Sequence, residues 1–212
     1  MQREKWEEIL NKYVLLKKLY IECEETDPEL KTNLQPLNEL RAALDHICRM
    51  IQCELDIIDE DPKAAAKAAA KFVVEHEKTG SHICRAFFDI CDMLSLNYRN
   101  KIIDFLKPYS YDVIRTALPE YYPKFKLEIE KISTSIIDYR TMKGKRDENE
   151  LFQSYYQNII KLRDIYTKIT DTLPSLHELK IKEKKKKLMP WVGLIIGILG
   201  LISAIWGQLR RF

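Results

Sequence analysis

The sequence predicts an all-α protein, an antiparallel bundle of about five long helices followed by one C-terminal transmembrane helix. Apolar residues recur at i, i+3, i+4 and i+7 along most of the chain, which is the spacing of one helix face. Glycine and proline are scarce, with 6 and 8 residues among 212, whereas charged residues make up 32%, as in long helices. No stretch alternates apolar and polar residues for long enough to predict a strand.

The predicted helices are separated by residues that begin or end helices. We predict long helices over residues 3–25, 28–58, 62–107 and 124–142, and one from 150 onward. Asp27-Pro28 and Asp61-Pro62 each place an N-capping side chain before a proline, which suits the first position of a helix. Pro174 predicts a kink in the last helix.

Other positions interrupt the helical pattern. Pro36 and Gly80 predict a break or bend inside the second and third helices. Three prolines between residues 108 and 123 punctuate a looser segment that contains a short helix, and residues 143–149 predict a loop.

The chain has five cysteines, an odd number, and no two are spaced as CxxC. They are Cys23, Cys48, Cys53, Cys84 and Cys91. All lie where the apolar spacing is helical, so we predict reduced, buried thiols that pack as small hydrophobic side chains. The chain begins with charged residues rather than with a secretory signal, so the main domain is expected in the cytoplasm.

A charge-free segment near the C-terminus predicts a membrane anchor. Residues 189–207 are nineteen residues without a charge, and a helix of that length spans about 28 Å, close to the hydrocarbon core of a bilayer. Trp191 and Trp206 lie near its ends, where aromatic side chains are enriched in membrane proteins. The predicted organisation is a helical domain at 1–179, a basic segment at 180–188, a transmembrane anchor at 189–208 and a short tail at 209–212.

Four consecutive lysines precede the anchor and set its predicted orientation. Lys184, Lys185, Lys186 and Lys187 outweigh the two arginines that follow the anchor, and positively charged flanks stay in the cytoplasm. The expected topology is a single-pass membrane protein with a cytoplasmic N-terminal domain. The same lysines are expected to attract anionic lipid head groups, at roughly 1 kcal/mol per residue near the surface.

Small residues line one face of the predicted anchor. They are Gly193, Gly197, Gly200, Ala204 and Gly207, at spacings of 4, 3, 4 and 3. Such a face lets a second helix approach closely, so the anchor is a candidate for self-association in the membrane. Glycine is also common in membrane helices in general, and the stripe alone leaves both interpretations open.

The tetrapeptide His-Ile-Cys-Arg occurs twice, at residues 46–49 and at residues 82–85, in successive predicted helices. Arg41 lies five residues before His46, which gives the spacing R-x4-H within an all-α domain. This motif resembles that of the HEPN superfamily (higher eukaryotes and prokaryotes nucleotide-binding). The resemblance implies a metal-independent ribonuclease of a defence or toxin system, in which two domains meet at a dimer interface. It assigns Arg41 to the stabilisation of phosphate charge and His46 to acid–base chemistry.

The same residues also have a purely structural interpretation. Four further polar side chains accompany the pair: Asp45, Arg49, His82 and Arg85. Arg41 and Asp45 are four residues apart, a spacing at which side chains pair along a helix. A spacing of five residues points Arg41 and His46 about 140° apart, so they converge only if a second chain or a neighbouring helix supplies the missing group. Packing between helices 2 and 3 and a ligand or nucleotide site therefore remain alternatives to catalysis.

Three functions are compatible with these features. The first is an interaction or effector domain held at the cytoplasmic face of a membrane, which needs no catalytic residue. The second is a membrane-tethered ribonuclease, for which RNA is the substrate. The third is an oligomerising, membrane-disrupting effector that acts through its glycine-lined anchor. Expected partners are the bilayer with its anionic lipids and a second copy, bound through helices 2 and 3 or through the anchor.

Composition and motifs argue against other classes of protein. A net charge of +3 gives no general signal for nucleic-acid binding. The sequence has no glycine-rich phosphate loop and no zinc-protease motif, so we expect neither a cofactor nor a metal.

Overall fold

The computed structural model describes residues 2–27, 34–57, 61–142 and 148–209, and in this part of the chain every regular element is a helix. The α-helices are α1 (Gln2–Thr26), α2 (Leu34–Ile57), α3 (Pro62–Leu106), α4 (Tyr111–Ala117), α5 (Lys126–Met142), α6 (Glu148–Thr170) and α7 (Leu173–Leu209). A π-helical turn, Tyr121–Phe125, leads into α5. The predicted all-α class is confirmed.

The predicted breaks at Pro36 and Gly80 do not occur in the described parts of the second and third helices. α3 is continuous over 45 residues, and Gly80 keeps helical geometry in its middle. Pro36 lies in the first turn of α2, where the backbone N–H that a proline lacks has no helical partner in any case. The predicted helix start at Pro28, the predicted helix end at Ile58 and most of the loop at 143–149 lie outside the described residues.

The predicted kink at Pro174 is instead a break between two helices. α6 ends at Thr170 and α7 begins at Leu173, with a turn between them. Thr172 donates its hydroxyl to the carbonyl of Ile169 (2.7 Å), which satisfies one of the acceptors left open at the end of α6. Pro174 then lies in the first turn of α7, where its missing N–H is not required.

The chain divides into two compact units. The first comprises Met1–Lys101 with Glu128–Tyr166, and the second comprises Ile102–Leu127 with Thr167–Phe212. Within the first unit, Trp6 at the start of α1 donates from its indole N–H to Glu54 near the end of α2 (2.8 Å). The first two helices of this unit are therefore antiparallel.

The core of the first unit is built around stacked aromatic rings. Phe87 of α3 stacks on Phe152 of α6 with ring centroids 3.6 Å apart, and Phe88 lies against Tyr155 at 5.2 Å. Leu16 of α1 packs into the same core and is fully buried. Burial of each such side chain stabilises the fold by about 1.5–3 kcal/mol.

The cysteines follow the prediction at four of five positions. Cys23, Cys53, Cys84 and Cys91 are buried and none of the five cysteines forms a disulfide, but Cys48 is exposed. The prediction was wrong at Cys48 because α2 carries apolar residues on more than one face. Apolar spacing along such a helix does not reveal which face is buried.

A partly buried polar contact joins three helices of the first unit. Glu22 of α1 accepts hydrogen bonds from Tyr98 of α3 (2.5 Å) and from Arg163 of α6 (2.9 Å). Burial raises the pKa of Tyr98 far above its usual value, and the Glu22 carboxylate raises it further. The tyrosine therefore stays protonated, and remains a hydrogen-bond donor, across the physiological pH range.

The second unit contains α4, the π-helical turn and α7. Ser110 caps α4 by accepting from the N–H of Val113 (3.4 Å), and its hydroxyl donates to Glu183 of α7 (3.0 Å). Ile114 of α4 and Phe125 of the π-helical turn are buried. From here α7 continues through the lysine run and into the predicted anchor as one helix.

Phe87→Ala should lower the free energy of unfolding by about 3–5 kcal/mol, because it removes a fully buried ring from the core. Urea unfolding of the full chain in mild detergent, followed by circular dichroism, measures the loss. Leu96→Ala on the same helix is the control, since Leu96 is exposed and its change should stay within about 0.5 kcal/mol. Equal losses for the two variants would contradict the assignment of the core.

Candidate functional site

The two His-Ile-Cys-Arg tetrapeptides belong to a longer repeat. Glu39 lies seven residues before His46 in α2, and Glu75 lies seven residues before His82 in α3. Seven residues make about two helical turns, so each glutamate lies on the same helix face as the histidine that follows it. The tetrapeptide is evident from the sequence, whereas the glutamates acquire a role only when the helices pair. Their equal spacing is the one signal of that role in the sequence.

Each glutamate contacts the histidine of the other helix. His46 Nδ1 lies 2.5 Å from Glu75 Oε2, and His82 Nδ1 lies 2.8 Å from Glu39 Oε2. Glu39, the earlier residue of α2, thus pairs with His82, the later residue of α3, which makes the two helices antiparallel. The histidine cluster, as we use the term, consists of Glu39, His46, Arg49, Glu75, His82 and Arg85.

The two imidazole rings stack at the centre of the histidine cluster. The ring centroids of His46 and His82 are 5.2 Å apart, with 23° between the ring planes. Side chains on a helix lean towards its N-terminus, so histidines on antiparallel helices lean towards each other. Their side chains are only 13% and 20% exposed, so the rings are largely shielded from water.

Two arginines lie on the exposed side of the cluster. Arg85 Nε donates to Glu39 (2.9 Å), and Arg49 Nη1 lies 3.6 Å from Glu75. Both arginine side chains are about half exposed. Arg85 Nη2 also lies 2.7 Å from His82 Nδ1, so that ring nitrogen either accepts from Arg85 or donates to Glu39.

Both glutamates of the cluster are held in the ionised form. The hydrogen bond from His46 lowers the pKa of Glu75 and outweighs burial, which acts to raise it. For Glu39, burial is the largest single influence and raises the pKa, but hydrogen bonds from Arg85 and His82 together bring it below its usual value. A carboxylate at Nδ1 orients an imidazole and leaves Nε2 as its basic nitrogen. The cluster therefore combines two oriented imidazoles with two guanidinium groups.

Arg41 does not join the histidine cluster. It is exposed and borders a groove between α1 and α2, whereas His46 faces α3. The expected pair between Arg41 and Asp45 is not formed. Among the described residues, neither of these side chains makes a salt bridge. Both are exposed, and at an exposed site such a pair contributes little. Within one chain, the R-x4-H spacing leaves its two residues apart, as predicted.

The groove that Arg41 borders is mostly apolar and has a volume of about 570 Å³. Its lining includes Trp6, Leu10 and Tyr13 of α1 and Leu37, Leu40 and Leu44 of α2. Leu10 and Leu44 are 57% and 58% exposed, although both are large and hydrophobic. With few polar groups to orient a small molecule, the groove suits apolar side chains of a protein.

α7 carries the lysines that are predicted to contact lipid head groups. Lys184, Lys185, Lys186 and Lys187 are exposed, and Lys187 donates to Glu183 one turn earlier (2.7 Å). Among the side chains that the structure describes, we find no helix long and apolar enough to cross a membrane. Part of the predicted anchor, including residues 192, 201 and 203–205, lies outside those side chains.

The small residues of the predicted anchor are described in part. Apart from its chain neighbours and the adjoining backbone of its own helix, a Cβ atom added at Gly193, Gly197 or Gly200 would meet no atom within 4 Å. Ala204 and Gly207 lie outside the described side chains. The described part of the stripe is therefore open to the approach of another helix.

Comparisons with known proteins find no match, whether with protein-family models, curated proteins or solved structures. The part of the chain that the structure describes also contains no group of three or more His, Cys, Asp or Glu able to hold a metal ion. Function is therefore inferred from the geometry of this chain alone.

Glu75→Gln should lower the free energy of unfolding by about 1–3 kcal/mol at pH 7, because a buried, charge-assisted hydrogen bond to His46 is lost. The pKa of Glu75 is lowered by folding, so the stability it contributes is present above its unfolded pKa of about 4.3. That contribution disappears as the pH falls through the lowered pKa.

Urea unfolding of the full chain in detergent at pH 7 and at pH 3 measures both parts of this prediction. Glu77→Gln is the matched control, since Glu77 is an exposed carboxylate on the same helix. A difference between Glu75→Gln and the parent that is as large at pH 3 as at pH 7 would contradict the assigned charge state.

Proposed function

We propose that this chain is a single-pass membrane protein, anchored through residues 189–208, whose helical domain works as an interaction module at the cytoplasmic face of the membrane. The observation that carries the proposal is the exposure of α7 after the lysine run. Every residue from 193 to 200 is exposed, over two helical turns and therefore on all sides of the helix. Among these are Leu194, Ile195, Ile196, Ile198 and Leu199, which are 48–64% exposed.

Such a surface is unfavourable in water but suits the hydrocarbon core of a bilayer. Burial of apolar surface is worth roughly 25 cal/mol per Å², and lipid covers a helix on every side at once. Trp191 and Trp206 are also exposed, at the depths where interfacial aromatic residues belong. The four lysines before the segment favour a cytoplasmic N-terminal domain and contact with anionic lipids.

The interaction role, rather than catalysis, is supported by the arrangement of the polar residues. Arg41 and His46 face different neighbours, and the Nδ1 atoms of the two histidines are occupied by carboxylates. The groove between α1 and α2, in contrast, leaves large apolar side chains exposed, as protein-binding surfaces do.

Replacing Ile195 and Ile202 by arginine should abolish membrane integration, because two arginines within the anchor cost about 5–7 kcal/mol of insertion free energy. Flotation of the full chain with lipid vesicles after an alkaline wash measures integration. Leu96→Arg/Ile103→Arg is the control, since it adds the same charges at exposed apolar positions of α3. The proposal is wrong if the parent stays with the soluble fraction, or if both double variants float equally well.

A second candidate is the HEPN-like ribonuclease, which the histidine cluster favours. Two imidazoles oriented by carboxylates and flanked by arginines combine the groups that acid–base cleavage of a phosphodiester needs. Incubation of RNA with the full chain, with His46→Ala and with Arg41→Ala tests it. Cleavage that disappears in both folded variants would support the ribonuclease, and an inactive parent would remove it.

A further inference from the structure

A cleft lies between α4 and α7 in the second unit, close to the start of the predicted anchor. It has a volume of about 280 Å³. Ser110 joins the two helices beside it, because its side chain caps α4 and donates to Glu183 of α7 (3.0 Å). The charged residues of the lining are Asp112 of α4 and Lys182, Glu183 and Lys186 of α7. We call this site the α4–α7 cleft.

Two of the charged residues already have ionic partners on α7. Glu183 accepts a hydrogen bond from Lys187 (2.7 Å), in addition to the one from Ser110. Lys182 pairs with Glu178 (2.6 Å). Both ion pairs join residues four apart on one helix, which is a favourable spacing. The carboxylate of Glu183 and the ammonium of Lys182 are therefore engaged.

Asp112 and Lys186 are the charged residues of the cleft that remain available. Both are exposed, and neither makes an ion pair with another residue that the structure describes. Asp112 lies in the first turn of α4, whereas Lys186 lies on α7. The cleft thus offers one carboxylate and one ammonium, from opposite sides, to a ligand that carries the complementary pair of charges.

The position of the cleft along α7 indicates where such a ligand comes from. This inference rests on the proposed function, in which residues 189–208 cross the membrane. Lys186 precedes Met189 by three residues of the same helix, or about 4.5 Å along its axis. Head groups extend roughly 5–7 Å beyond each side of the hydrocarbon core. Lys186 therefore lies within the layer of phospholipid head groups.

We propose that the α4–α7 cleft binds the head group of phosphatidylethanolamine, with its phosphate at Lys186 and its primary ammonium at Asp112. Lys186 donates to a phosphate oxygen, and the lipid ammonium donates to the Asp112 carboxylate. Both are charge-assisted hydrogen bonds, which are stronger than neutral ones. The head group has no net charge, and so matches a cleft that offers one charge of each sign.

Other phospholipids lack one of these contacts. Phosphatidylcholine carries a quaternary ammonium, which has no N–H to donate to Asp112. A purely anionic head group has no ammonium, and the carboxylates of Asp112 and Glu183 repel it. The cleft is therefore expected to select among phospholipids, whereas the lysine run before the anchor attracts anionic lipids in general.

Titration of the full chain in detergent with short-chain phosphatidylethanolamine and phosphatidylcholine, followed by native mass spectrometry, tests the proposal. Identical acyl chains ensure that only the head groups differ. We expect one phosphatidylethanolamine per chain to bind about tenfold more tightly than phosphatidylcholine, because only the first makes the charge-assisted contact with Asp112.

Asp112→Asn/Lys186→Gln should abolish this preference, because it removes both charged partners of the head group. Asp171→Asn/Lys185→Gln is the matched control. It removes the same two charges from exposed residues of the second unit that do not line the cleft, and it should keep the preference. If the cleft variant does not fold, Lys186→Gln alone decides, at an exposed position of α7.

Flotation of the same proteins with lipid vesicles separates this proposal from the proposed function. A parent that floats and prefers phosphatidylethanolamine, with the preference lost only in the cleft variant, supports the site. A parent that floats but binds both lipids equally overturns the site and leaves the anchor. A preference that survives the cleft variant, or is lost equally in the control, also overturns the site. A parent that does not float overturns both proposals.

Discussion

The packing of the first unit depends on two reciprocal contacts between α2 and α3, in each of which a glutamate of one helix binds a histidine of the other. Because His46 pairs with Glu75 and His82 pairs with Glu39, the antiparallel register of the two helices is fixed at two points. A shift of α2 by one turn would leave two partly buried carboxylates without their partners, which is costly. The same two contacts fix the rotation of α2 about its own axis.

That rotation decides which residues α2 offers to other molecules. With its histidines turned to α3, the apolar stripe that includes Leu44 and Ile51 is left outside, next to the exposed apolar residues of α1. The polar network therefore fixes the packing of α2, and the apolar side chains of the opposite face stay exposed.

The sequence predicted the helices well, and the packing of those helices less well. Apolar spacing and the Asp61-Pro62 cap placed α3 within a residue of its observed ends, because these signals are local. The exposure of Cys48 and the partners of Glu39 and Glu75 could not be predicted, because they depend on which face of α2 meets α3. A helix with apolar residues on several faces leaves that choice to tertiary contacts.

The central claim is that the glutamate of each helix pairs with the histidine of the other. A double-mutant cycle on unfolding free energies tests this claim most directly. The cycle combines His46→Ala with Glu75→Gln, and the comparison cycle combines His46→Ala with Glu39→Gln. We expect a coupling of about 1–2 kcal/mol for the pair across the two helices, and less than about 0.5 kcal/mol for the pair within α2. Equal couplings, or none across the helices, would contradict the register that orients α2 and exposes its apolar stripe.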